Sequence, residues 1–227
     1  YCAVSPDGRT FAEQMSMRPE TVAPLRRVTD AVHREGGAAS LQLGHCGWFT
    51  KNAELSTWLP RGPSLSLNPY GIVAGRPLAV AMNAREIAAV IEDFGRASGL
   101  AREAGFDAVE LHLGHGYLLS QFLSPGTNRR SDGFGGGIEA RARLSLEVLR
   151  RVREVVGAGF PILCKMNLRD GFRGGLELPD AVALARLLES GGASALVLTG
   201  GFTSKSPFYL FRGRRPLEEM IAAEKSR

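Results

Sequence analysis

Residues 101–117 read AREAGFDAVELHLGHGY, and the fold turns on how this stretch divides. Ala101 to Ala104 close an apolar-striped helix, Gly105 breaks it, and a strand over 107–112 follows almost at once. The apolar run from Val109 to Leu113 is interrupted by Glu110 and His112, and Gly114, His115, Gly116 and Tyr117 then open a long loop. Two of only four histidines therefore stand three residues apart where a strand ends.

The same unit, helix then short link then strand, recurs on both sides. The helix over 84–104 carries Ile87, Ile91, Phe94 and Ala101 on one side, behind a capping box of Asn83 and Glu86. Residues 19–35 carry the stripe Val22, Leu25, Val28 and Val32, stop at Gly36-Gly37, and lead to the strand AASLQLGH at 38–45. Downstream, a helix over 138–156 precedes the strand 161–167, and a helix over 179–190, closed by Gly191-Gly192, precedes the strand 194–199. Alternation of this kind predicts parallel strands joined by helical crossovers.

The connections are lopsided. Helix-to-strand links are short, whereas the strand-to-helix segments 45–83 and 113–137 are long. That asymmetry predicts a (β/α) barrel with its chemistry on the loops after the strands. A doubly wound open sheet is the rival, but its glycine-rich nucleotide turn after the first strand is missing. Four strands and the stub of another before SPDGRT fall short of the roughly eight in a closed barrel. The expectation is an α/β chain forming part of a (β/α)8 TIM barrel, one incomplete domain over residues 1–227. The opening YCAVSPDGRT, without an initiator Met or a signal-peptide profile, reads as the interior of a longer sequence.

Composition narrows the function. The 44% hydrophobic content supports a real core, and no window reaches the roughly 18–20 apolar residues of a membrane span. Cys2, Cys46 and Cys164 match neither a CxxC pair nor a metal pattern, which suits reduced thiols in a cytoplasmic protein. The net charge of +5 is spread along the chain, apart from Arg212, Arg214 and Arg215. Without interleaved aromatics it argues against a nucleic-acid partner.

Under the barrel reading the strand ends present Gln42 and His45, then His112 and His115, then Lys165 and Asn167, then Thr199 before Gly200-Gly201, all converging on one mouth. Three imidazoles, His45, His112 and His115, match the number in some catalytic zinc sites. The expectation is nonetheless no metal, because no carboxylate stands out as a partner to orient the rings. A lone histidine such as His33 in AVHREGG is an ordinary helix-surface group, and Tyr117 alone would be an aromatic packed on the rim. Grouped, His112, His115 and Tyr117 read as chemistry. The glycines flanking His115 would let the turn direct both imidazoles to one point.

These residues also carry a resemblance. The segment AREAGFDAVELHLGHGYLLSQFLSPGTNRRSDGFGGGIEARARLSLEVLRRVR resembles the signature region of the old yellow enzyme family of FMN-dependent oxidoreductases. LQLGHCGW looks like that family's strand ending in Gln-Leu-x-His-x-Gly. PILCKMNLRDGFRGGLELPDAVALARLLESGGASALVLTGG is similar to its next two βα units, particularly in the 2,4-dienoyl-CoA reductase-like branch. The resemblance implies a barrel holding FMN at its mouth, NADH or NADPH as reductant, and an activated alkene as acceptor. It also implies roles. Gln42 would bond the flavin's pyrimidine edge, and Lys165 would stabilise the anionic reduced ring. His112 and His115 would donate to the substrate carbonyl, His112 lying against the cofactor as well. Tyr117 would supply the proton.

By the same resemblance the chain runs from the end of barrel strand 2 through strand 6, leaving strands 1, 7 and 8, and the FMN phosphate site on the last two, outside it. The implied partner is an enone, enal or enoyl compound, with assembly as a homo-oligomer compatible.

Departures from the family pattern are local. Phe134 and Gly135-Gly136-Gly137 replace Tyr and Gly-Gly-Ser, Ala140-Arg141 replaces Asn-Arg, and Trp48 stands where many relatives carry Arg. Losing a serine cap at Gly137 should cost about 1 kcal/mol or less. Asn128, Arg130 and Asp132 are expected to tie the long loop to the following helix. Lys205, Tyr209 and Arg212 are expected in a solvated loop, with contact to substrate or a nicotinamide phosphate as the alternative. Two other readings of the whole stay open: a different barrel enzyme, such as a lyase or metal-dependent hydrolase, and a non-catalytic truncated remnant.

Overall fold

The computed structural model describes residues 1–206. Tyr209 and Arg212 lie outside the described residues.

Five parallel strands form one sheet in the order β1-β2-β6-β7-β8. They are β1 (Cys2–Ala3), β2 (Ser40–Gly44), β6 (Ala108–Leu113), β7 (Ile162–Asn167) and β8 (Ala195–Thr199). The helices alternate with them: α1 (Pro19–Arg34), α2 (Ala84–Glu103), α4 (Ile138–Val156) and α5 (Leu178–Ser190). Each sequence-read element is present to within about two residues of its expected ends, a difference within normal assignment scatter.

Strand alternation sorts the two faces of the sheet. Leu43, Val109, Leu111, Leu113, Ile162, Cys164 and Met166 point to one side, where they are buried with residues of α2, α4 and α5. Gln42, Glu110, His112, Lys165 and Asn167, of opposite parity, occupy the other. That second face is the inside of the barrel wall, which is why polar residues interrupt otherwise apolar strands.

The helices hold this curtain from behind. Helix α2 buries Ile87, Val90, Ile91, Phe94, Ala97 and Ala101, each large apolar side chain contributing about 1.5–3 kcal/mol. Its capping box is formed: Asn83 Oδ1 accepts from Glu86 N at 3.0 Å and Glu86 Oε2 accepts from Asn83 N at 2.8 Å. Gly95 lets α4 approach, since a Cβ there would come within 3.0 Å of Arg151 Cγ. Helix α1 departs from its expected stripe. Val22 and Leu25 are buried but Val28 is 54% exposed, and Thr29 faces inward instead. The Thr29 hydroxyl donates to the Ala104 carbonyl at 2.6 Å, a polar latch that hydropathy periodicity cannot anticipate.

The long segments after β2 and β6 have structure of their own. The first contains a small sheet, ordered β3-β5-β4, from β3 (Arg61–Gly62), β4 (Ser66–Leu67) and β5 (Leu78–Ala81). The second contains α3 (Leu118–Leu123), every residue of it buried. Arg130 corrects one expectation. It pairs with Asp132 at 2.5 Å, but its other contacts are the carbonyls of Pro63 at 3.0 Å and Met82 at 2.8 Å. It therefore ties the long loop to the β3–β5 excursion rather than to α4. Arg141 makes the connection to α4, donating to the Leu123 and Gly136 carbonyls and to Asp180.

Candidate active site

The inner face carries the polar groups in register. Gln42 is paired with Glu110 across β2 and β6, and its Nε2 donates to Glu110 Oε1 at 2.5 Å. Two residues further along, His112 stands opposite Lys165 across β6 and β7. Gln42, His112 and Lys165, from three strands, thus share one face and one end of the sheet.

The turn after β6 completes the group. The rings of His112 and His115 lie 5.0 Å apart, nearly perpendicular, and Tyr117 lies 5.0 Å from His112. The left-handed conformations fall on His115 itself (φ 61°) and on Gly116 (φ 80°). The expected glycine freedom is thus needed on one side only, and His115 takes the strained position. Gly114 serves close approach, since a Cβ there would come within 2.8 Å of Asn167 Oδ1.

Electrostatics keep both imidazoles neutral. Burial pushes His112 well below the usual histidine range, with the neighbouring His115 and the Lys165 charge acting the same way. Burial and then Lys165 bring His115 down to about 4. Tyr117 is displaced upward, by burial first and then by Cys46 and Tyr70, so its phenol keeps its proton.

His45 does not join them. Its Nδ1 accepts from Gly47 N at 3.0 Å and its ring packs against Gly8. Among the described residues no three His, Cys, Asp or Glu side chains gather as a metal-ligand set. Lys205 Nζ sits 5.2 Å over the Phe172 ring.

Several neighbours escaped the sequence reading. Glu110 engages the Gln42 amide, and its two-residue offset from His112 was the available signal. Tyr1 lies 4.8 Å from Tyr117 and 5.8 Å from His112, while Phe49 lies 6.3 Å from Tyr117 and stacks on Tyr70 at 4.7 Å. Only tertiary structure brings these rings together. Gln121, fully buried, bonds the Cys46 and Gly116 carbonyls and the Trp48 amide, joining the two turns. Trp48 itself is buried against Phe202.

The model of the NADH:flavin oxidoreductase / NADH oxidase family, a family of FMN oxidoreductases, matches residues 1–197. The chain belongs to this family. It is 40% identical over 227 residues to a 4,4'-dithiodibutanoate disulfide reductase of Rhodococcus erythropolis, covering 99% of this chain and 55% of the relative. Among solved structures, morphinone reductase in complex with tetrahydroNAD is 30% identical with a TM-score of 0.76, covering 87% of this chain and 58% of that one. The old yellow enzyme homologue of Zymomonas mobilis is 25% identical with a TM-score of 0.78, covering 99% and 70%. The chain spans about half the length of the Rhodococcus relative.

The inner face of this family member carries groups that fit the ring of FMN. His112 Nδ1 is buried without a hydrogen-bond partner, the state of a polar group whose neighbour is a bound molecule. Gln42 supplies an amide and Lys165 a cation on the same face, a donor set suited to a heteroaromatic ring that becomes anionic on reduction. Among the described residues no helix is long and apolar enough to cross a membrane.

Proposed function

We propose that the protein is an FMN-dependent NAD(P)H oxidoreductase that reduces the activated C=C bond of an α,β-unsaturated carbonyl compound. The observation that carries the reading is the grouping of the His112, His115 and Tyr117 rings, each 5.0 Å from its neighbour in the set, at the end of the sheet that also holds Gln42 and Lys165. In this reading residues 1–227 are one incomplete barrel domain. The buried, unpaired thiols of Cys2, Cys46 and Cys164 suit a reducing compartment, the cytoplasm.

FMN held on this face would supply hydride transfer from NADH or NADPH to the second substrate. Gln42, held by Glu110, would orient the ring edge, and Lys165 would offset the negative charge of the reduced ring. Each neutral imidazole has one N–H, and the two converge on the substrate's carbonyl oxygen, drawing electron density from the alkene. Donors fixed before the reaction stabilise the developing enolate without reorganising. Tyr117 then delivers its proton to the α carbon. Burial disfavours a free tyrosinate there, so return of the proton from solvent restores the acid.

The test is Tyr117→Phe in the FMN-loaded full chain. Alkene reduction should slow by about 10²–10⁴-fold, the usual contribution of a general acid, while flavin bleaching by nicotinamide stays near its original rate. Equal loss in both steps would overturn the assignment.

A second acceptor is favoured by the 40% identity to a disulfide reductase. An organic disulfide takes the same hydride at one sulfur, and the departing thiolate takes the Tyr117 proton, giving two thiols. Competition between an enone and 4,4'-dithiodibutanoate for one pool of reduced protein separates the two readings.

A further inference from the structure

His115 is held more firmly than a hydrogen-bond donor on a surface turn needs to be. Its backbone N–H donates to the buried Asn167 Oδ1 at 3.1 Å, and Asn167 is fixed in turn by Asp170 Oδ1 at 2.8 Å and the Gly201 carbonyl at 2.9 Å. Its carbonyl accepts from Thr203 twice, from N at 3.0 Å and from Oγ1 at 2.8 Å. These bonds offset a left-handed conformation at φ 61°, which is unfavourable for a non-glycine residue. The side chain has a brace of its own: His115 Nε2 lies 2.7 Å from Thr199 Oγ1 at the end of β8.

Backbone anchors fix where the ring is, but not which nitrogen carries its proton. A neutral imidazole has one donor and one acceptor nitrogen, and the bond made by one determines the other. Among the described residues the Thr199 hydroxyl has a single hydrogen-bond partner, His115 Nε2. Where that hydroxyl donates, Nε2 is bare and accepts the proton. The ring proton then sits on Nδ1, the nitrogen left to meet a ligand.

We infer that Thr199 is a positioning residue that donates to His115 Nε2, locks the ring in its Nδ1–H tautomer and so makes it a donor toward the substrate's oxygen. Both the direction of this bond and the use of the donor rest on the proposed function, which needs a proton on the nitrogen that Thr199 leaves free. Without the hydroxyl the ring keeps its place but is free to exchange tautomers, and the Nε2–H form presents a lone pair where the reaction needs a proton.

The experiment is long-range ¹H–¹⁵N correlation on the full chain labelled in histidine, without FMN, for wild type, Thr199→Val and Thr199→Ser. Wild type and Thr199→Ser should show His115 with a protonated Nδ1 and a bare Nε2, and Thr199→Val should show a mixed or reversed pattern. A protonated Nε2 in wild type would overturn the inference, whatever the stability of the variants. An unchanged pattern in folded Thr199→Val would do the same. In the FMN-loaded protein, Thr199→Val should lower kcat/KM for the alkene about tenfold, the loss of one bond of about 1.4 kcal/mol, with nicotinamide oxidation unaltered and Thr199→Ser restoring the rate. If the tautomer shifts while alkene reduction is undiminished, the brace stands and the donor role of His115 falls.

Discussion

His112 on β6 and Lys165 on β7 are direct cross-strand neighbours on the inner face of the sheet, and this pairing sets a cation beside two imidazoles that burial already keeps neutral. The arrangement makes both imidazoles weak bases, each with one N–H to donate and one nitrogen to accept. In the proposed function the same lysine would also face the reduced flavin ring.

Lys165→Met should therefore have two effects of opposite sense. Removing the cation favours the imidazolium, so the His115 pKa should rise from about 4 while staying below the ordinary 6.5, because burial is the larger cause. Titration followed by NMR checks the direction. FMN affinity, read by quenching of flavin fluorescence, should weaken by about tenfold or more, the loss of a bond to a charged donor. A falling histidine pKa would mean that Lys165 does not face the pair.

Much of this site was legible in sequence because parallel strands end on one side. Read as parallel neighbours, β2, β6 and β7 bring Gln42, His112 and Lys165 to a common mouth, and the register adds that the three share a face. The stripe rule failed at Val28, where Thr29 takes the inward position by bonding a carbonyl of the neighbouring Ala104. Arg130 was assigned to the wrong partner because carbonyl acceptors on a distant excursion have no sequence signature. Tyr1, Phe49 and Gln121 were missed for a related reason: their contacts lie about 70 or more residues away.

Acid should destabilise the fold through His45, which is buried and whose pKa is brought down to about 4. Unfolded, it titrates near 6.5, so between about pH 6.5 and 4 the unfolded chain holds a proton that the folded one lacks. Stability is intact above pH 6.5 and falls as pH drops through this window, by about 3 kcal/mol for this group alone. His112 and His115 shift in the same direction and add to the slope. Thermal melts from pH 7 to 5 should show Tm decreasing. His45→Asn retains an acceptor for Gly47 N and should melt lower at pH 7, but with a shallower dependence on pH.

Gln121 should matter to the site although it bonds none of the proposed catalytic side chains. Its amide is the junction of the turns after β2 and β6, accepting from Trp48 N at 3.2 Å and donating to the Cys46 carbonyl at 3.0 Å and the Gly116 carbonyl at 2.7 Å. Gln121→Met preserves volume but leaves three buried backbone groups without that partner, at about 1–3 kcal/mol for each one left unsatisfied. Denaturant unfolding should show a loss of about 3 kcal/mol or more. The histidine resonances should broaden as the turn carrying Gly116 loosens. A variant with wild-type stability would mean that water replaces the amide.

The last test separates the two halves of the bond that anchors α4. Arg141 is buried, its Nε donates to the Gly136 carbonyl at 3.0 Å, and its guanidinium also bonds the Leu123 carbonyl and Asp180 Oδ2, the latter at 2.6 Å. Asp180 is about one-third exposed, so water can solvate it when the pair is broken, whereas the buried Leu123 carbonyl has no such recourse. Arg141→Met should then cost about 3–5 kcal/mol, the range for removing one partner of a buried charged contact. Asp180→Asn keeps an acceptor in place and should cost about 1 kcal/mol or less. Chemical denaturation of both variants measures the ratio. Equal losses would show that the ion pair, and not the carbonyl clamp, holds the long loop after β6 against α4.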